Sequence, residues 1–571
     1  MVANDIFYFG QNIIMARKKN KNIERKIIPA QGKETEVKNK GVIIYWILLA
    51  LLILFITIIR LRILNVPLER DEGEYAYMGQ LLLKGHPPFE LAYNMKYPGT
   101  SMMYAFFMLL FGQTAAGVHA GLLLVNVISI LLVFLLGKKL FNPLVALVAS
   151  TSFALLTIST ALIGSAAHAT HCVTVFALAG IYLILLSNES ERKKMFLFLG
   201  GLLLGAAIVM KQPGLLLATF GFLFAAWQEW KGKDKIKRWA FHLILVGLGI
   251  VLPVAMLFLW MYAAGTFDRF WFWTYEYGNE YALMVKWDEA KFLLNLFWKG
   301  TSKELGSIWL LAGIGLIGVW SKKHLLSARI FIVGFFVFAL LAVSPGFYFR
   351  GHYFVMLAPA IGLLAGVGVD FFQWLMRERF RLSSVQWIAP VLFVFASIAG
   401  IAKMKSYLFE KTPDEISQMI YGSNPFIQSK VIGEYIQKNS SDTSKIAVLG
   451  SEPQICFYAD RISASGYLYT YNLMEPQPFN EIMQEEMIEE IENANPEILL
   501  YVKSKLSWMM RPESPTNIFE WFEKYVQNFE LTGLVELPAE GHGTRYHWSP
   551  DATKMQPPED DVVFIFRRKG S

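Results

Sequence analysis

The sequence predicts an α-helical polytopic membrane protein with a water-soluble α/β region at its C-terminus. Hydrophobic residues make up 54% of its 571 residues and charged residues only 17%, and the mean hydropathy is +0.38. A soluble domain carries about a quarter charged residues, so most of this chain is too apolar to be one. The 15% share of aromatic residues suits helices that need anchors at the membrane interface.

Apolar runs of about 17–25 residues, long enough for a helix to cross a bilayer, mark the membrane part. Eleven runs of roughly this length predict a domain of about 11 transmembrane helices over residues 43–402. They lie near 43–63, 114–136, 142–163, 170–187, 195–210, 212–228, 239–263, 306–320, 330–346, 353–371 and 385–402.

The segments between these runs alternate in charge. The aromatic and acidic set includes two long loops, 65–99 and 264–305, the first leading into a short apolar piece, Thr100 to Gly112, expected at the interface. Lys and Arg concentrate on the cytoplasmic side of membrane proteins, so eleven spans starting inside must end outside. If the two short spans around Lys211 were not separate spans, the chain would lose one crossing, and the C-terminal region would then lie in the cytoplasm. The basic set comprises the tail 1–42, Gly137-Lys138-Lys139, Glu191-Arg192-Lys193-Lys194, Lys231 to Arg238, Lys322-Lys323 and Arg377 to Arg381.

The net charge of +7 does not indicate a nucleic-acid partner, because the two parts of the chain differ in sign. From Lys403 onward there are 16 Lys+Arg against 25 Asp+Glu. The positive charge therefore lies in short clusters between apolar runs, where it is a topology signal. Charge and span number agree in predicting an extracytoplasmic region over 403–571.

Residues 403–571 mix strand and helix patterns, which predicts a small α/β domain. Gly450-Ser451-Glu452-Pro453 lacks the glycine spacing of a nucleotide site, so it is predicted to be a strand-to-helix turn. Strands are predicted at Ile446-Ala447-Val448-Leu449-Gly450, Glu497 to Val502 and Val562 to Phe566, and helices at 425–438, 479–494 and 517–528.

The N-terminus and the cysteines add little chemistry. No cleavable signal peptide is evident in the first 42 residues, and Met15 precedes the basic run as an alternative start. Cys172 and Cys456 lie in an apolar run and in the C-terminal part, so we expect neither a disulfide nor a cysteine metal cluster.

The strongest candidate for chemistry is Arg70-Asp71-Glu72-Gly73-Glu74-Tyr75-Ala76, just beyond the first span. Four of these seven residues are charged. A carboxylate at the water–membrane boundary can act as a general base on a hydroxyl or amine, or hold a divalent cation through its oxygens. A solvated loop with an acidic helix start has the same composition, so the residues alone leave both interpretations open.

Further polar groups fall at helix ends on the same predicted side. Lys96 and Tyr97, in Asn94-Met95-Lys96-Tyr97-Pro98-Gly99, belong to a turn in which the lysine could face a phosphate. Ionisable groups at membrane depth are costly and mark functional paths, although Lys and Arg near a helix end can also snorkel to water. Together, cations facing an acidic loop are what transfer from a phosphate-linked donor requires. The others are His168, His171, Lys211, Arg350, His352 and Tyr353, and the two histidines three residues apart are also candidate metal ligands with Asp71 and Glu72.

These motifs resemble those of the GT-C membrane glycosyltransferases, in particular the bacterial protein-mannosyltransferase and aminoarabinose-transferase-like group, glycosyltransferase family 39. The resemblance covers roughly 43–402. It rests on Asp-Glu-x-x-Tyr-Ala from Asp71, the turn after it, Gly-Lys-Lys-Leu-Phe from Gly137, Met210-Lys211-Gln212-Pro213-Gly214, and His352-Tyr353-Phe354 before Pro359.

The resemblance implies an inverting glycosyltransferase of the bacterial cell membrane that takes a sugar from a polyprenyl-phosphate-linked donor on the extracytoplasmic face. The family's catalytic aspartate maps onto Asp71, with Glu72 beside it, and its donor-phosphate contacts map onto Lys211, Arg350 and His352. Thr170-His171-Cys172 stands where many members carry an acidic residue. That departure leaves the acceptor (protein, lipid or glycan) and the need for a divalent cation open.

Two other classes of function are weighed against an enzyme. A transporter or flippase of a lipid-linked substrate predicts paired repeats and charged or broken helices at mid-membrane, whereas here the ionisable residues lie at helix ends and no convincing internal repeat is seen. A non-catalytic membrane scaffold has no need of Asp71, Lys211 and Arg350 together. Both fit the sequence less well than a glycosyltransferase.

Overall fold

The computed structural model describes residues 30–230, 236–321, 326–381, 385–538, 543–555, 559 and 561–570. Residues 1–29, which contain Met15 and most of the basic tail, lie outside the described residues, as do most of the Lys231 to Arg238 cluster and the Lys322-Lys323 pair. The described residues divide into two compact units between Leu54 and Phe55. The helix Ala30–Arg62 belongs in part to each.

Each predicted span coincides with a helix, and the prediction of a helical polytopic membrane protein is confirmed. In the described ranges, eight helices are long and apolar enough to cross a membrane. The helices are α1 Ala30–Arg62, α2 Arg70–Leu83, α3 Gly99–Phe111, α4 Ala115–Leu140, α5 Pro143–Ile158, α6 Ala169–Ser187, α7 Lys193–Met210, α8 Gly214–Trp230, α9 Ile236–Ala263, α10 Trp287–Ser321, α11 Leu326–Val343, α12 Ala358–Trp374 and α13 Ile388–Lys403.

The two long loops contain helices of their own. Helix α2 fills the middle of loop 65–99, and α10 begins eighteen residues before the bend at Leu305, which has φ −129° and ψ 29°. Its first part, with Asp288 and Glu289 in its first turn, therefore lies in what the sequence predicts as loop 264–305. Three short helical segments precede it: Phe267–Trp271, Phe272–Tyr277 and Gly278–Leu283.

Small residues let neighbouring helices approach closely, as is common between membrane helices. Gly205 of α7 packs against the carbonyl of Ile250 and the ring of Pro253 in α9, so any side chain there would clash. Gly315 of α10 packs in the same way on the backbone of α12 near Leu364. The first contact fixes the helix that Lys211 directly follows, and the second fixes the helix that begins eight residues after Arg350.

The C-terminal region, residues 413–570, forms a mixed sheet covered by helices. Strand order is β2-β1-β3-β6-β4-β5, with β1 parallel to β2 and β3 and the remaining neighbours antiparallel. The strands are β1 Lys445–Leu449, β2 Ile462–Ser463, β3 Ile498–Lys503, β4 Phe529–Glu536, β5 Arg545–Trp548 and β6 Val562–Arg568, and the main helices α14 Pro413–Tyr421, α15 Phe426–Asn439, α16 Pro453–Ala459, α17 Asn480–Ala494 and α18 Asn517–Tyr525.

The three strands and three helices predicted for this region are confirmed. The strand-to-helix turn at Gly450-Ser451-Glu452-Pro453 is confirmed as well, between β1 and α16. Ser451 and Glu452 are fully buried there. Their burial matters for the site, because the turn contacts the first residue of α2.

Candidate active site

A cavity of about 830 Å³ lies between the helix ends and the C-terminal region. Its polar residues come from α2, the turn after it, the ends of the helices and residues 421–475. Its apolar wall comes from residues 161–163, 273–300 and 342–356. Among its lining residues are Glu69, Asp71, Glu74, Lys96, His168, Lys211, Arg350, His352, Tyr353, Tyr421, Tyr469, Tyr471 and Glu475.

Asp71 stands in the first turn of α2. The helix begins with a reciprocal cap, in which the Glu69 side chain accepts the Glu72 N–H (3.0 Å) and the Glu72 side chain accepts the Glu69 N–H (3.3 Å). Asp71 Oδ1 accepts hydrogen bonds from Lys96 Nζ at 3.3 Å and Tyr469 Oη at 3.0 Å. The cap thus fixes the start of the helix, and two donors from distant parts of the chain fix the carboxylate.

The carboxyl groups of Glu69, Asp71 and Glu72 lie in this turn, and their surroundings shift their pKa values in different directions. Burial alone raises the pKa of Asp71, but Lys96, His168, His352 and Arg350 together lower it well below its ordinary range. Burial and the charges of Asp71 and Glu72 raise the pKa of Glu69 well above its usual value. Against the effect of burial, His119 lowers the pKa of Glu72 as well. Asp71 is therefore the carboxyl group of this turn that both stays charged and lines the cavity, as a base requires.

Lys96 and Glu74 complete the acidic side of the cavity. The Lys96 backbone N–H donates to Asn94 Oδ1 at 2.9 Å, which shapes the predicted turn. Its ammonium lies 3.4 Å from Glu74 Oε2 and 4.7 Å from the centre of the Tyr75 ring. Burial lowers the pKa of Lys96, but Asp71, Tyr75 and Glu74 raise it well above normal. Burial raises the pKa of Glu74 to about 7, in spite of Lys96.

Lys211 and Arg350 supply two more cations. Lys211 directly follows α7, and its ammonium lies 4.3 Å from the centre of the Tyr353 ring. The Arg350 guanidinium lies 5.4 Å from the Tyr348 ring, and its Nη2 is 3.4 Å from Tyr281 Oη. Burial, and then repulsion by Lys96, lowers the pKa of Lys211 to about 7. An anion entering the cavity would therefore restore its full charge.

Asp71, His168 and His352 form a group that fits a divalent cation. Their ligand atoms lie within 4.8 Å of one another. The two imidazole rings stack with centroids 3.8 Å apart, and both ring nitrogens of His168 and Nδ1 of His352 are buried without a hydrogen-bond partner. Burial lowers the pKa of His168 to about 4, so it is neutral, as a metal ligand must be.

Three residues from the sequence-based set lie away from the cavity. Glu72 is buried, where its carboxylate is 2.9 Å from His119 Nε2 and accepts the Ala167 N–H at 2.6 Å. The Tyr97 hydroxyl is hydrogen-bonded to Tyr275. His171 is buried in α6 and is not in the group of candidate metal ligands, within the described residues. The structure thus separates Glu72 from Asp71, although they are adjacent in sequence.

Sequence reasoning missed the aromatic residues that the C-terminal region adds to the cavity. Tyr467, Tyr469 and Tyr471 all line it. Burial and the carboxyl groups of Glu74, Asp71 and Glu69 raise the pKa of Tyr469 well above its usual value, so its phenol is a donor. The alternation Tyr467-Leu468-Tyr469-Thr470-Tyr471 is a signal of one aromatic face on an extended segment, and it could have marked these residues.

A charged carboxylate and several cations in one partly apolar cavity suit transfer of a group away from a phosphate. The carboxylate can take a proton from a nucleophile, and the cations can stabilise negative charge on a departing phosphate. Comparison with known proteins agrees with this chemistry. Residues 94–258 match the family model described as dolichyl-phosphate-mannose-protein mannosyltransferase, a stretch that includes Lys96, His168 and Lys211 and begins after Asp71.

Solved structures are similar over nearly the whole chain. ArnT from Cupriavidus metallidurans bound to undecaprenyl phosphate has a TM-score of 0.56 at 13% identity, covering 92% of this chain and 98% of that one. The oligosaccharyltransferase AglB from Archaeoglobus fulgidus, in complex with an inhibitory peptide and a dolichol-phosphate, has a TM-score of 0.52 at 12% identity, covering 91% and 75%. At this identity the likeness shows a shared fold. The chain has no significant match among curated protein sequences.

The chain shares the fold of ArnT and AglB. The fold likeness extends over the helices and the C-terminal region, and the family match is confined to residues 94–258. The same archaeal oligosaccharyltransferase has also been solved in complex with Zn and sulfate, with a TM-score of 0.50 at 13% identity, covering 87% of this chain and 72% of that one. The cavity around Asp71 is the candidate active site of the protein.

Proposed function

We propose that this protein is a glycosyltransferase that moves a sugar from a polyprenyl-phosphate-linked donor to an acceptor nucleophile, with inversion, on the extracytoplasmic face of a bacterial cell membrane. One observation carries the proposal: Asp71 shares its cavity with Lys96, Lys211 and Arg350. This reaction needs a base that takes the proton of the acceptor and cations that bind the phosphate. The family match and the shared fold support this class of enzyme, and the choice of residues rests on the geometry.

In the proposed reaction the acceptor attacks C1 of the sugar on the side opposite the phosphate. A new bond forms from C1 to the acceptor oxygen or nitrogen, and the bond from C1 to the phosphate oxygen breaks with its electron pair left on the phosphate. The proton of the acceptor passes to Asp71. Lys211 and Arg350 offset the charge of the departing polyprenyl phosphate, and Lys96, bonded to Asp71, holds the carboxylate beside them.

The lining of the cavity supports a lipid-linked donor. The same cavity has an apolar wall that includes Leu293, Leu296 and Phe297, as binding of an isoprenoid chain needs. The ArnT and AglB structures were solved with undecaprenyl phosphate and dolichol-phosphate, which are carriers of the same chemical class. The acceptor is a protein, lipid or glycan group with a hydroxyl or amine.

Asp71, His168 and His352 would hold a divalent cation if one binds. Two neutral imidazoles and a carboxylate suit a cation such as Zn²⁺. A bound cation would supply further positive charge for the phosphate. Because Asp71 would then be a ligand, its role as a free base and its role as a metal ligand exclude each other and can be tested separately.

The extracytoplasmic location is supported by the helix ends. The cavity lies where α7 ends at Met210 and α11 ends at Val343, whereas the basic clusters Gly137-Lys138-Lys139 and Glu191-Arg192-Lys193-Lys194 lie at the opposite ends of their helices. Basic loops are typically cytoplasmic. The cavity and the C-terminal region therefore belong to the outer side.

The test is sugar transfer from a panel of radiolabelled polyprenyl-phosphate sugars by purified wild type and Asp71→Asn, in matched detergent with acceptor-containing membranes. We expect wild type to release polyprenyl phosphate and Asp71→Asn to lose at least about a thousandfold in kcat, the scale of losing a general base. Donor binding should survive, because Lys96, Lys211 and Arg350 remain. The active donor identifies the sugar, and NMR of the product anomer tests inversion.

Asp288→Asn is the matched control, since Asp288 is 96% exposed and pairs only with Lys291 in its own helix turn. It should transfer sugar at the wild-type rate. Wild-type transfer by Asp71→Asn would reject Asp71 as the base. Absence of transfer from every donor by wild-type protein that binds polyprenyl phosphate would reject the proposed donor class.

A further inference from the structure

Residues 464–470 are one of the segments through which the C-terminal region reaches the cavity. The Gly466 carbonyl accepts the Tyr93 N–H at 2.9 Å, and the Gly466 N–H donates to Glu490 at 3.0 Å. At the other end, the Thr470 N–H donates to Ser451 Oγ at 3.0 Å. The segment is held on both sides of Tyr469, so the position of this tyrosine is set by the fold.

Tyr469 contacts the proposed base directly. Its hydroxyl donates to Asp71 Oδ1 at 3.0 Å, and Lys96 Nζ lies 3.3 Å from the same oxygen. The other oxygen, Oδ2, lies 3.8 Å from His168 Nδ1, beyond hydrogen-bond distance. One carboxylate oxygen is therefore occupied by two donors, and the other is left to take a proton.

The helix that carries Asp71 is fastened to the same turn as Tyr469. Arg70 donates to the Ser451 carbonyl at 2.5 Å and to Glu452 Oε1 at 3.2 Å. Ser451 thus binds Arg70 through its carbonyl and Thr470 through its hydroxyl. The residues next to Asp71 and next to Tyr469 share this anchor, so the 3.0 Å contact between the two side chains is fixed from both sides.

We propose that Tyr469 is a positioning residue of the transfer reaction, whose phenol holds the Asp71 carboxylate with Oδ2 turned toward the acceptor. The inference rests on the proposed function and deepens it, because it assigns part of the acceptor side of the site to the C-terminal region. A carboxylate that rotates freely meets the acceptor in the productive orientation less often. We expect the loss in kcat rather than in donor binding, because among the described residues Tyr469 forms no hydrogen bond with Lys211 or Arg350.

Tyr469→Phe tests the inference, because it removes one hydroxyl and keeps the ring. We expect kcat to fall about tenfold, equivalent to about 1.4 kcal/mol of barrier, with the donor KM and the unfolding temperature unchanged. Tyr435→Phe is the matched control: the Tyr435 hydroxyl donates to the Thr532 carbonyl at 3.4 Å within the C-terminal region, and the residue does not line the cavity. It should keep the wild-type kcat.

The outcomes separate this inference from the proposed function. An inactive Asp71→Asn with a Tyr469→Phe of wild-type kcat overturns the positioning role alone. A fall in kcat that is accompanied by a raised donor KM or a lowered unfolding temperature also overturns it, because the effect is then structural. A fully active Asp71→Asn overturns the proposed function first, and this inference with it.

Discussion

Asp71 is held in its charged form by residues that are far apart in sequence. Lys96 lies 25 residues after it, and His168, Arg350 and His352 come from later helix ends. Each lowers the pKa of Asp71 against the effect of burial, which disfavours a charge. At the residue scale, Asp71 is therefore an anion held among the cations Lys96 and Arg350 and two neutral imidazoles.

Lys211 gives the enzyme a pH dependence. The pKa of Lys211 is lowered to about 7, so the free enzyme carries this charge below pH 7 and loses it above. We expect kcat/KM for the donor, which reports ionisations of the free enzyme, to fall as the pH rises through about 7. Lys211→Arg should remove this fall, because a guanidinium stays protonated throughout.

The pH profile of kcat/KM for wild type and Lys211→Arg, measured from pH 5 to 9 in one buffer mixture, checks this prediction. Glu74, with its pKa raised to about 7, titrates in the same range, so Glu74→Gln is the control that keeps Lys211 intact. An alkaline fall that persists in Lys211→Arg and disappears in Glu74→Gln would assign it to the carboxyl group.

Removal of divalent cations distinguishes the two roles of Asp71. Lys96 and Arg350 already place two positive charges in the cavity, and Lys211 adds a third when an anion restores its charge, which is enough to offset a phosphate leaving group. We therefore expect transfer to continue after dialysis against EDTA. Loss of transfer in EDTA, restored by Zn²⁺ or Mn²⁺ and absent in His168→Ala, would instead make Asp71 a metal ligand.

Part of this site can be predicted from the sequence, and there are physical reasons why the rest cannot. Asp71, Lys96 and Lys211 stand out because charged residues next to apolar runs are costly unless used. The separation of Glu72 from Asp71 depends on His119, a residue of α4 that no local pattern connects with α2. The place of Tyr469 in the site depends on its hydrogen bond with Asp71, which is almost four hundred residues away in the chain. A single sequence does not reveal such a contact.

At the element scale, helix α2 contributes to the cavity and also packs against the C-terminal region. Its N-terminus carries Asp71 into the cavity, and its face packs on α16 of the C-terminal region. Gly73 shows how close the packing is, because a Cβ at this position would lie 2.6 Å from Cβ of Gln454. The absence of a side chain at Gly73 is what lets Arg70 reach Ser451 and Glu452.

We expect Gly73→Ala to displace α2 from α16, with a cost of about 1–3 kcal/mol from overpacking and a fall in kcat, because Asp71 moves relative to Tyr469. The unfolding temperature in detergent and the transfer rate measure the two effects. Gly313→Ala is the control: Gly313 is also helical, and a Cβ there would meet nothing within 4 Å. Equal behaviour of the two variants would show that the packing at Gly73 is not critical.

The helices and strands are predicted best where hydrophobicity determines them. Long apolar runs became the helices α1 and α4 to α13, since a segment in lipid must satisfy its own backbone hydrogen bonds. Strand β5, Arg545–Trp548, has no buried alternating face and was not predicted. It forms because it pairs with Gly533 to Glu536 of β4, and the local sequence does not show this tertiary contact.

At the scale of the whole molecule, the loops divide the charges between two sets of helix ends. The clusters around Lys139 and Lys193 lie at one set, and the cavity with Asp71 lies at the other. The C-terminal region adds net negative charge beyond the cavity. This division predicts the orientation of the protein without reference to any relative.

Cysteine labelling tests that orientation directly. The native Cys172 and Cys456 are both buried, so single cysteines placed at exposed positions report access with little background. With a membrane-impermeant maleimide, we expect Lys524→Cys in the C-terminal region to be labelled in intact cells. Asn188→Cys, beside the basic cluster at 191–194, should be labelled only in inverted vesicles or after permeabilisation.

The reverse pattern would place the C-terminal region in the cytoplasm and exclude an extracytoplasmic reaction. Labelling of both positions in intact cells would mean that the cells leak, which a cytoplasmic marker protein checks. With the expected pattern, donor and acceptor must both reach the outer side, so a polyprenyl-phosphate sugar made inside the cell has to be flipped across the membrane before Asp71 can act on it.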